Sequence, residues 1–223
     1  MIMGLPVAIG ALISSATSFI SATLSTTGAA LAAIGTKATA LLTKLGPFLE
    51  GITKILNMVG GFVGILKPNE TVEDLGAKVI STDKKPDDFD SINAYIDHLK
   101  NEVMVDKEKV KDNQVTKVSC IAIGSVLVSE GIAEKLNISV PMEFWKDVSI
   151  IKLNPNEIVK VLEKYKECDV SLDKFTNYVN GNSDLKDTET NQDILCDAFK
   201  ELEPSCSNQE IERKVMKMEN MDL

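Results

Sequence analysis

The sequence predicts an all-α protein: a long apolar N-terminal helix of small residues, then a cluster of short amphipathic helices. Three observations predict it. Apolar residues recur at helical spacing along the chain, helix start signals precede most of those runs, and no strand-turn-strand alternation occurs. With 44% hydrophobic residues among 223, the chain can bury a core; with 5% aromatics, that core is expected to be aliphatic and alanine-rich.

The first helix is expected to begin after Pro6, whose fixed φ suits the first helical turn, and to run to Leu45 with a bend near Gly28 or Gly35. Gly46-Pro47 interrupts it. A second apolar helix follows through Phe48, Leu49, Ile52, Ile55, Leu56 and Val59, and ends before Lys67-Pro68, so that the two form a long helix and a short one. Thr71 is a start signal for a helix carrying Val72, Leu75 and Val79. The segment 84–90 (KKPDDFD) reads as a solvated linker, and Asp90 or Ser91 caps a helix with Ile92, Tyr95, Ile96 and Leu99 on one face. Residues 115–128 (VTKVSCIAIGSVLV) are the most apolar stretch beyond residue 68; their length favours a buried central helix over a strand. Phe144-Trp145 is expected to plug the nearby core. Asn154-Pro155-Asn156-Glu157 combines a cap, a proline at the first helical position and an acid at the third. Ser171 starts another helix, Pro204 ends the one before the last, and Ser207 with Glu210 forms a capping box for the last.

Charge divides the chain. Residues 1–67 hold Lys37, Lys44, Lys54 and Lys67 against Glu50 alone, a net charge of +3. The whole chain carries -9, so residues 68–223 carry -12. This asymmetry and the composition change at Pro68 predict two parts: 1–67, an apolar Ala/Ser/Gly-rich assembly or membrane segment, and 68–223, an acidic soluble helical domain.

Residues 1–36 contain no charged side chain, which exceeds the roughly 20 residues of one membrane crossing. The serine, threonine and alanine of 14–27 (SSATSFISATLSTT) contribute little transfer energy, which weakens insertion. Spacing carries more information. Gly10, Ser14, Ser18, Ala22, Thr26 and Ala30 recur every four residues and form one ridge of small side chains on a helix. Such a ridge lets two helix backbones approach closely, so it is the candidate packing surface, with Phe19 and Leu24 on a looser side. A helix apolar on every face needs a fully apolar surrounding, and the acidic remainder offers too little to enclose 60 such residues.

Other chemistry is weakly signalled. One arginine, Arg213, and no basic stripe argue against nucleic acid. Cys120, Cys168, Cys196 and Cys206 lack metal or redox spacing and read as reduced thiols; with one histidine, His98, no metal site and no cofactor are predicted. Ser81 with Lys84, and Ser149 with Lys152, match Ser-x-x-Lys without the companion motifs of that enzyme class. Asn180, Asn182 and Asp184 have the opening spacing of a calcium loop, but Leu185 and Asn191 stand where glycine and glutamate are needed. Without a basic stretch near Met1, the expectation is cytoplasmic synthesis with membrane or particle association.

In composition, a hydrophobic Ala/Ser/Gly-rich helix on a soluble helical domain resembles phage-tail and injection-machine components, and also pore-forming translocators. The resemblance implies a non-enzymatic structural or adaptor component of a multi-subunit apparatus, phage-tail-like, injection or secretory, whose N-terminal apolar helices bundle with copies of the chain or with partner subunits. Two other readings stay open: a membrane-active pore former, translocator or anchor, and a soluble helical binding protein.

Overall fold

A computed structural model describes residues 5–24 and 28–219, with side chains from Gly10 onward. The described residues are all-helical with no strand. In order, the helices are α1 (Leu5–Leu24), α2 (Ala29–Leu45), α3 (Leu49–Phe62), α4 (Val72–Ser81), α5 (Ile92–Glu102), α6 (Gln114–Leu136), α7 (Met142–Ile151), α8 (Pro155–Glu167), α9 (Leu172–Val179), α10 (Leu185–Leu202) and α11 (Asn208–Met216). The chain divides into two compact units, Met1–Ile132 and Ala133–Leu223. The composition break at Pro68 therefore lies inside the first unit.

In that unit, the bend expected near Gly28 is a complete break. Gly28 sits at φ 119°, which no helical residue adopts and which glycine reaches without a steric penalty. The helix restarts under an external cap: the Asp87 carboxylate accepts the Ala30 N–H at 3.2 Å. The linker 84–90 is thus more than a solvated tether. Pro86 is buried, and the Asp88 carboxylate accepts the Lys85 N–H at 2.9 Å. α1 and α2 pack as an antiparallel pair, with Gly35 against Leu24 and Ile20, and Gly46 against Ile13.

The segment 115–128 lies in α6, a central helix as expected, but its partners come from the N-terminal helices as well as from α4 and α5. Thirteen residues of α6 are buried. Gly60 of α3 touches Val128 and Gly131 faces Ile96 of α5. The Ser119 hydroxyl shares its hydrogen between the carbonyls of Val115 (2.8 Å) and Ala16 of α1 (3.3 Å). Against α4 the backbones themselves meet. A Cβ on Gly76 would lie 1.9 Å from the Cys120 carbonyl oxygen, and one on Gly124 would lie 1.7 Å from the Val72 carbonyl oxygen. Each glycine presents a Cα–H where any side chain would collide with backbone.

The second unit builds on capped amphipathic helices. Asn154 and Ser207 form the expected capping boxes with Glu157 and Glu210. Phe144 and Trp145 are fully buried, and Phe144 and Tyr165 both stack near Phe175, at 5.0 and 5.9 Å between ring centres. Trp145, Tyr165, Tyr178, Phe144, Phe175 and Phe199 are all inaccessible to solvent. The core is largely aliphatic, as expected; its buried rings gather in this unit, with Tyr95 the one buried ring among the described residues of the first.

Two measurements check this architecture. Gly76→Ala and Gly124→Ala should each lower stability by about 3 kcal/mol in urea unfolding, the upper end of ordinary overpacking, because backbone cannot yield as a side chain can. Gly61→Ala, where a new Cβ meets nothing within 4 Å, should instead stabilise α3 by about 0.5–1 kcal/mol. Truncation to residues 68–223 removes α1–α3 from α6. We expect hydrogen exchange to show residues 133–223 still protected while residues 68–132 lose protection.

Candidate functional site

The α1 surface is built by helix arithmetic. Ala16, Ile20 and Leu24 recur every four residues and are buried to 2% exposure or less. The ridge Ser14, Ser18, Ala22 is offset from them by two positions, about 200° around the helix, and so points the opposite way. Gly10, Ser14, Ser18 and Ala22 are exposed and Ala30 on α2 is half-buried; Thr26 lies outside the described residues. The ridge therefore does not form the α1–α2 contact within the chain. Aliphatic side chains form that contact, with Gly35 supplying the close approach. Leu24, expected on a looser side, is one of the tightest positions, whereas Phe19 is half-buried.

The exposed face of α1 is chemically quiet. No side chain described in α1 carries charge. Several hydroxyls bond back to their own helix: Ser18 and Thr17 donate to the Ser14 carbonyl, both at 2.9 Å, and Thr23 donates to that of Phe19 at 2.8 Å. On α2, Thr36 and Thr43 do the same toward Ala32 and Thr39. A hydroxyl whose hydrogen is used locally makes a smaller demand on water, so such a surface loses little when another helix covers it.

α6 is the one helix among the described residues long and apolar enough to cross a membrane, and 72% of its apolar window is buried within the chain.

In the second unit, the most deeply buried charge is Asp147 on α7, fully shielded from solvent. Lys146 Nζ lies 3.0 Å from its carboxylate and donates to the Asn180 side-chain carbonyl at 3.3 Å. The Asn180 amide donates to both Asp147 oxygens at 3.3 Å and to the Thr176 carbonyl at 2.6 Å. Burial pushes the Asp147 carboxyl above the usual aspartate value, against the opposing pull of Lys146 and the hydrogen bonds. The cluster ties α7 to the end of α9. Nearby, the Tyr165 hydroxyl donates to the Asn191 side-chain carbonyl, and the Asn191 amide donates to the Asp187 carbonyl at 2.6 Å, joining α8 to α10 inside the core.

The motifs singled out in the sequence have other occupations. Asn180 turns inward to Asp147, while Asp184 caps α10 through the Asp187 N–H at 2.8 Å, so the calcium-loop spacing does not converge on a point. The Ser81 hydroxyl donates to the Ala77 carbonyl and accepts the Asp106 N–H, both at 2.8 Å; that of Ser149 donates to the Lys146 carbonyl at 2.7 Å. His98 Nδ1 faces Glu102 at 3.1 Å and its ring lies 5.1 Å from Phe89. The four cysteines are unbridged. The described residues hold no group of three His, Cys, Asp or Glu side chains placed to bind a metal ion. The Asp147 cluster was missed in the sequence because a Lys-Asp dipeptide on an amphipathic helix reads as surface; the buried Phe144 and Trp145 just before it were the available signal.

Comparison with protein-family models, with curated proteins and with solved structures found no match.

Removing the Asp147 carboxylate takes a buried partner from both Lys146 and Asn180. Asp147→Ala should cost about 3–5 kcal/mol, the range for a broken buried pair. The pH dependence has a definite sign. Because the folded carboxyl titrates above the unfolded one, the folded state holds a proton that the unfolded chain has already released. Raising pH from just below the usual aspartate value through that window should therefore reduce wild-type stability relative to Asp147→Asn. Urea unfolding of both proteins across pH 3 to 7 reads the difference, in which contributions of other carboxylates, such as the depressed Glu201 and Glu203, cancel.

Proposed function

We propose that this protein is a non-enzymatic structural or adaptor component of a multi-subunit assembly of the phage-tail-like, injection or secretion kind, and that the outward face of α1 is its contact surface for copies of itself or partner subunits. One observation carries the reading. α1 directs Ala16, Ile20 and Leu24 into the chain and leaves Gly10, Ser14, Ser18 and Ala22 outside, uncharged and with the Ser18 hydroxyl bonded to its own helix. An ordinary surface helix carries charges on its outer face; this one has the composition of a closely packed helix interface. α2 contributes further uncharged exposed positions at Ala33, Thr36 and Thr43, flanked by Lys37 and Lys44.

The test is a pair of substitutions on the exposed ridge, read by light scattering in detergent-free buffer. Wild type is expected as particles well above the 24.3 kDa chain mass. Ser18→Arg and Ala22→Arg should reduce it to monomer with helicity and thermal stability unchanged, since both positions are exposed in the single chain. Leu24→Arg should unfold the first unit, because that side chain is buried. A wild-type monomer in plain buffer would overturn the reading, and extraction only with detergent would replace it with the membrane-active alternative.

A further inference from the structure

We draw no further inference here: the strongest candidate, the uncharged small-residue face of α1 with the shallow groove beside it between α1 and α2, belongs to the site already described, and nothing in the structure shows what covers it.

Discussion

A 23-residue helix without a continuous polar face cannot sit on the surface of a protein in water, and α6 is such a helix. The first unit is arranged to enclose it. α4 approaches so closely that Gly76 meets the Cys120 carbonyl and Gly124 meets that of Val72. α3 brings Gly60 to Val128, α5 brings Ile96 to Gly131, and α1 reaches the Ser119 hydroxyl through the Ala16 carbonyl. Small residues recur at these crossings because the distance between helix axes falls as the side chains between them shrink. This is the reason that the N-terminal apolar helices and the helices after Pro68 share one compact unit despite their different compositions. The charge contrast at residue 67 describes their outer surfaces, and the α6 contacts lie on their inner ones.

The second unit solves its packing differently. Its helices are ordinary amphipathic ones, α8 to α11 with side-chain caps, and large aromatic rings fill the space between them. Several polar groups taken inside are paired: Asp147 with Lys146 and Asn180, Tyr165 with Asn191, and the Tyr178 hydroxyl with the Val215 carbonyl at 3.0 Å. Lost pairing costs more than a formed pair contributes, so these contacts act chiefly as constraints on which arrangement of α7–α11 is tolerated.

The α1 surface stands apart from both patterns. Its buried stripe and its small-residue ridge share the same four-residue period, and two positions of offset put them on opposite sides of the helix. A helix with one side serving its own chain and the other free of charge is suited to joining chains, which is the physical content of the proposed role.

Sequence alone determined most of the elements, although it read α1 and α2 as one bent helix. The period of the apolar residues marked helices, and Thr71, Ser91, Asn154, Ser171 and Ser207 marked their starts, because capping is a contact between residues two or three apart and is written locally. It also marked the ridge on α1, since periodicity is a local property. Only the tertiary structure decided which way that ridge points, that Asp87 caps a helix 57 residues earlier in the chain, that Asp147 is buried, and that α6 is enclosed from both sides of Pro68. Those outcomes depend on which distant surfaces meet. A glycine that permits a crossing and a glycine that merely interrupts a helix are the same letter in the sequence until the opposing carbonyl is in place.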